Sequence, residues 1–409
     1  MEPINAIAVL ITFSAIFAYL NHRFLKISMS IALMVMSLFF SLALLLLDHT
    51  GLPISAHADK LVNSIDFSRV LLEGMLGLLL FAGALHLNLN DLAVHKIEIA
   101  IYSTFGVITS TFLVGSFVYG LSCWIGWELR VIDCLLFGAL ISPTDPIAVL
   151  GILKSIGAPK SLETKIAGES LFNDGIGVVV FLVLLEIATG TDHVTAGYVA
   201  SLFIKEAVGG ILFGLAAGYL AYRLLKSVNN YQVEIMITLA LVIGGYALGT
   251  ALHISAPLAM VAAGLLIGNH GRRLAMSHIT RQHIDMFWEL VDEILNALLF
   301  VLIGMEVLVL TLKWEYLMAG MIAIPVALFS RFISIGGTIT IMKRWKTFVP
   351  GAVSIMTWGG LRGGISVALA LSLPEQCHRD LIITMTYVVV AFSVLVQGLT
   401  IKMLVKKCG

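Results

Sequence analysis

Charge is what this chain has least of: 12% of its 409 residues are charged, against 59% that are hydrophobic. A mean hydropathy of +0.99 excludes an ordinary soluble fold, and no hydrophilic stretch is long enough to form a soluble catalytic or regulatory domain. Cysteine is scarce as well. Cys123, Cys134, Cys377 and Cys408 share no short metal-binding or redox spacing, which excludes the usual thiolate metal centres and dithiol motifs. No nucleophile–base pair, metal-ligand set or cofactor motif of a membrane-embedded enzyme is evident. The formal net charge is zero, so nothing in the charge balance points to nucleic acid. The chain is expected to be neither an enzyme nor a cofactor carrier.

What the sequence does have is apolar length. A helix needs about 20 mostly apolar residues to cross the hydrocarbon core, and the chain supplies thirteen such runs, near 4–20, 27–47, 69–87, 97–124, 131–153, 164–188, 197–226, 231–252, 256–269, 284–311, 314–342, 347–373 and 379–405. The loops test that count. With the N-terminus outside, most basic residues, from Arg23 and Lys26 to Lys402, Lys406 and Lys407, fall on the cytoplasmic side; Lys60, Arg69, Arg130, Lys313 and Arg379 fall on the other. This is the positive-inside pattern, and it places the C-terminus in the cytoplasm. The expected fold class is an all-α polytopic membrane protein forming one transporter domain, 1–409, in the lipid bilayer.

Function is then sought in polar groups at membrane depth, where a charge costs about 2.5–3.5 kcal/mol on insertion scales. Three clusters stand out. In "GALISPTDPIAVLGIL" two prolines bracket Thr144 and Asp145 inside an apolar run. Each proline removes a backbone donor, so the helix is expected to unwind and free carbonyls, as at transporter ion sites. The alternative is a proline kink with Asp145 as a local cap. In "GESLFNDGIG", Glu169 and Asn173, and Ser170 and Asp174, are i,i+4 neighbours forming adjacent polar stripes; the alternative is a helix cap at Ser170 or Asn173. In "TWGGLRGGISVALAL", paired glycines flank Arg362, and either a second unwound helix or close helix packing accounts for them.

The proline-broken run is the fifth span and the glycine-broken run the twelfth. Inverted-repeat transporters carry matching discontinuous helices in their two halves. Two six-span repeats, near 4–188 and 231–405, are expected, with 197–226 as the connecting helix. Asp145 and Arg362 have the signs to offset N-terminal and C-terminal half-helix ends respectively.

The motifs "SPTDPIAVL", "GESLFNDGIGVVVF", "FVLIGMEV", "SRFISI" and "TWGGLRGGISVALALSLP", in that order and over essentially the whole chain, resemble those of the monovalent cation:proton antiporters, in the sodium/proton exchanger branch called NhaP-type. The resemblance implies a homodimer in a bacterial inner membrane, working by alternating access. It implies exchange of Na+, and also Li+, for H+; K+ is the alternative cation, and a channel the alternative class. It makes Asp174 the carboxylate that binds either cation or proton, Ser170 a hydroxyl ligand, Thr144 a main-chain ligand and Asp145 the acid beside the site. It makes Asn173 structural, held by Glu169, whose partner is expected to be Arg331. The third span carries no acid at the position some members use, and Glu73 stands about two turns earlier. Because the neighbour of Asp174 is an amide, one proton for one cation is expected, an electroneutral exchange.

Overall fold

The computed structural model describes residues 3–48, 66–155, 157–190, 195–311, 313–346 and 348–408, and among them all regular structure is helical. Lys60 lies outside the described residues. The helices are α1 (Pro3–Leu20), α2 (Met29–Asp48), α3 (Phe67–His86), α4 (Lys96–Ile125), α5a (Val131–Ile141), α5b (Ile147–Ser155), α6 (Lys160–Thr189), α7 (Ala196–Ser227), α8 (Tyr231–Ala251), α9 (Ala256–Leu266), α10 (His278–Met305), α11 (Trp314–Met342), α12a (Ala352–Trp358), α12b (Gly364–Leu371) and α13 (Arg379–Lys407). With the two halves of α5 and of α12 each counted as one crossing, these make thirteen spans. Spans five and twelve hold corresponding positions in the first and last six. Six spans lie between them, so they cross in opposite directions, which is the inverted-repeat relation.

Local chemistry sets the boundaries. Asn230 accepts from the amides of Gln232 and Val233 at the start of α8 (3.0 and 3.4 Å). Ser255 accepts from Leu258 at the start of α9, and Pro257 occupies the first turn, where its missing donor costs nothing. Gly351, at φ 71°, precedes α12a in the left-handed region that favours glycine. Two boundaries depart from expectation. The tenth span begins at His278 rather than 284 and ends at Met305 in a 3-10 turn, and α6 begins at Lys160, after Pro159. Polar first turns carry both helices beyond their apolar stretches.

The chain divides into two compact units, one formed by residues up to Leu71, Ser110–Ala158 and Asn296 onward, the other by Leu72–Thr109 and Pro159–Leu295. In the first unit α5a packs on α4, where a side chain at Gly138 would strike the Thr111 carbonyl and Gly115 backbone. The core of the second unit centres on Trp288, whose ring lies 4.7 Å from that of Phe81 and whose Nε1 donates to Thr238 Oγ1 at 3.1 Å. Here Gly210, Gly214 and Gly218 of α7 face Ser255, Ala259 and Ala263 of α9. Two rows of small residues at four-residue spacing bring the helix backbones together, the usual device in lipid, where apolar burial between helices gives little.

Candidate ion-binding site

In the first unit, α5a stops at Ile141 because Pro143 offers no amide and Pro146 disfavours helical backbone at Asp145. Ser142–Pro146 is unwound. Asp145 Oδ1 accepts from the Ile147 amide at 2.9 Å, so the carboxylate caps the N-terminus of α5b. Unwinding and capping, alternatives in the sequence, occur together.

The twelfth span is interrupted likewise, α12a ending at Trp358 and α12b starting at Gly364. The two interruptions meet. The Asp145 amide donates to the Leu361 carbonyl at 2.8 Å in an isolated antiparallel bridge. Arg362, 3% exposed, donates through one guanidinium nitrogen to the carbonyls of Ser142 and of Pro143, the latter at 2.9 Å, and its amide donates to Ser393 Oγ at 2.9 Å. A cation thus stands at the C-terminal end of α5a and an anion at the N-terminal end of α5b, each opposite the helix partial charge it offsets. The glycines make room: a side chain at Gly363 would strike the Asp145 carboxylate, and one at Gly360 the Arg331 guanidinium. Close packing and unwinding are both present here too. Arg331 Nε donates to the Met356 carbonyl at 3.3 Å, and Thr144 is buried at the break.

In the second unit, Glu169, Ser170, Asn173 and Asp174 lie together, all buried, on unbroken α6. Because α6 begins at Lys160, neither Ser170 nor Asn173 is a helix cap, and that alternative falls. Packing around the stripe is tight. Side chains at Gly168 and Gly175 would meet Ile99 and Leu92, and Leu258, respectively. Tyr102 of α4 stands close enough to Glu169 to feel its charge. Glu73 is exposed in the first turns of α3, near Tyr246. Thr144, Asp145, Arg331 and Arg362 therefore belong to one unit, and Glu169, Ser170, Asn173 and Asp174 to the other.

Several buried charges were missed in the sequence. Asp133, 1% exposed, accepts from Arg130 Nε and a terminal nitrogen at 2.9 and 2.7 Å and pairs with His378 Nδ1 at 3.0 Å. The paired carboxylate holds the Arg130 guanidinium above its ordinary pKa, and burial pushes the adjoining Cys377 thiol up. Glu306, buried, carries an Oε2 without a hydrogen-bond partner among the described residues; its signal was a lone carboxylate in the apolar "FVLIGMEV". Glu98 and Lys165 form a buried pair at 3.5 Å, although sequence position alone groups Lys165 with a basic loop.

Thirteen spans with two helices interrupted at membrane depth and joined backbone to backbone define a secondary transporter of the discontinuous-helix class. The family model "Sodium/hydrogen exchanger, transmembrane" matches residues 10–407, and the chain belongs to that family. It is 49% identical to the Na(+)/H(+) antiporter NhaP of Pseudomonas aeruginosa over 99% of this chain and 96% of that one. It is 34% identical to the Na(+)/H(+) antiporter NhaH of Halobacillus dabanensis over 95% and 93%. Its fold matches that of the sodium proton antiporter MjNhaP1 of Methanocaldococcus jannaschii with a TM-score of 0.78 at 19% identity, covering 100% of this chain and 99% of that one.

Proposed function

We propose that the protein exchanges sodium, and also lithium, for protons across a bacterial inner membrane, as a homodimer with its N-terminus outside. The observation that carries this reading is Asp174: a buried carboxylate on an unbroken helix, with a hydroxyl, Ser170, one turn before it, in a chain whose relatives are named Na(+)/H(+) antiporters. Carboxylate and hydroxyl oxygens suit a hard monovalent cation. A carboxylate in so little water must be neutralised by something. Sodium and proton are the two candidates, and they compete for one group. Alternating exposure of the occupied site to the two sides then yields exchange without a leak. Asn173, beside Asp174, takes up no proton, so one proton moves for each cation and the cycle carries no net charge. The ligand roles of Thr144 and Asp145 stay with the family resemblance that suggests them; in the structure the Asp145 carboxylate caps α5b.

The test is proton flux in proteoliposomes reporting internal pH as sodium, lithium and potassium are swapped outside. Flux is expected with sodium and lithium and not with potassium. Flux insensitive to the cation, or none with any of the three, would overturn the reading.

A further inference from the structure

Asn296 carries the only polar side chain in "ILNALLFVLIGM", Ile294 to Met305 of α10. It is 5% exposed, and neither its amide oxygen nor its amide nitrogen has a hydrogen-bond partner among the described residues. It stands about 13 Å before the end of the helix at 1.5 Å per residue, well inside the span. Leu299, Phe300, Val301, Leu302 and Ile303, which follow it, are buried and apolar.

Its place in the first unit gives the amide meaning. Leu299 and Phe300, three and four residues on, share its face of the helix. A side chain at Gly364 of α12b would strike Leu299, while one at the adjoining Gly363 would strike the Asp145 carboxylate. On the other flank the Phe300 carbonyl accepts from Ser37 Oγ of α2 at 3.4 Å, and α2 packs on α5b, the half-helix that Asp145 caps. Along α10, Asn296 is thus one turn, about 5 Å, from the side chain that packs beside the crossing of the two interruptions.

A buried amide that bonds to nothing is a standing cost, which an apolar side chain of similar size would remove. Its chemistry fits the cargo of an exchanger. The amide oxygen is a ligand suited to a hard cation, and the nitrogen can donate to water that the cation retains. An amide also takes up no proton, so it can hold a cation without altering a one-for-one exchange.

We infer that Asn296 is a further ligand for the transported cation, closed off and unpaired in this state and turned to sodium or lithium in the state that opens beside the crossing of α5 and α12. This deepens the sodium/proton exchange proposed above and rests on it. The amide acts on the cation alone. Its removal therefore weakens cation binding by the same factor at every pH, whereas proton competition at Asp174 continues unchanged.

Sodium and lithium KM are measured at two pH values in proteoliposomes holding wild type, Asn296→Leu or Asn296→Ser, with a melting curve for each. Asn296→Leu is expected to raise both KM values about threefold to tenfold, the loss of one neutral contact, by an equal factor at the two pH values. It is expected to melt no lower than wild type, because the unsatisfied amide is gone. Asn296→Ser, which keeps an oxygen, is expected to fall between the two. An unchanged KM overturns the inference, as does a loss of kcat alone, the mark of a packing defect. Should Asn296→Leu fail to fold, Asn296→Cys decides: a water-soluble thiosulfonate is expected to label it beyond the native cysteines of wild type, at least threefold more slowly in sodium than in choline. No added labelling, or labelling indifferent to sodium, overturns the inference while wild type still exchanges. A wild type without sodium-dependent proton flux overturns the proposed function together with it.

Discussion

The amide of Asp145 donates to the carbonyl of Leu361 at 2.8 Å, one backbone hydrogen bond between the interruptions of two helices from opposite ends of the chain. Each interruption leaves backbone groups that hydrocarbon cannot satisfy, and each supplies part of what the other lacks. Arg362 completes the exchange by donating to the carbonyls of Ser142 and Pro143.

Arg362→Gln is therefore expected to destabilise the protein by about 3 kcal/mol, since hydrogen bonds to a charged donor are worth about 1.5–3 kcal/mol each and buried acceptors would be stranded. Arg362→Lys keeps the charge and a donor, and is expected to recover part of the loss. Thermal unfolding in detergent measures both. A variant as stable as wild type would refute a structural role for the crossing.

Gly363→Ala isolates the fit between the interruptions. The backbone at Gly363, φ −123° and ψ −163°, is open to alanine, but the added carbon would come within 2.6 Å of Asp145 Oδ2. Overpacking of this kind typically costs about 1–3 kcal/mol, and a displaced Asp145 should slow exchange at least several-fold. Gly244→Ala is the control. It has no neighbour within 4 Å and lies inside α8, so it should leave exchange intact and raise stability by up to about 1 kcal/mol.

Asp174→Asn is expected to abolish cation-dependent proton flux while the protein remains folded, because the amide keeps the shape and removes both the proton site and a desolvated charge. Purified variant in proteoliposomes, with a melting curve alongside, decides it; sodium-dependent proton flux at the wild-type rate would remove Asp174 from the mechanism.

Stoichiometry gives a fourth expectation. A membrane potential acts on a transported charge with about 2.3 kcal/mol per 100 mV, so a one-for-one cycle has no thermodynamic response to it. Solid-supported-membrane recordings should show no sustained sodium-dependent current while a pH dye reports flux. A current in step with that flux, or a reversal point moved by an imposed potential, would contradict the expectation.

The broken helices were legible because proline and glycine act locally. Pro143 and Pro146 announce an interruption to anything that reads the chain in order, and Gly359–Gly360 with Gly363–Gly364 a second. Hydropathy located all thirteen spans, yet it reports where a segment is apolar rather than where its helix starts, so the polar first turns of α6 and α10 stayed hidden. Asp133 and Glu98 were missed for another reason. Their burial depends on partners, Arg130 with His378 and Lys165 with His95, and a pairing brought about by tertiary packing leaves no periodic trace. Arg362 could be recognised as an intramembrane charge, but that it would serve two carbonyls of the fifth span follows only once the helices cross.

That crossing also bears on how the protein is made. A ribosome delivers the fifth span long before it delivers the twelfth, so for most of synthesis the carbonyls of Ser142 and Pro143 wait in the bilayer without Arg362, and the Asp145 amide waits without Leu361. The nascent chain must shelter that gap with water, lipid headgroups or an insertion chaperone until its last spans arrive. A chain truncated before Gly359 is consequently a poor intermediate, and quality-control proteases should clear it faster than a truncation that leaves out only α13.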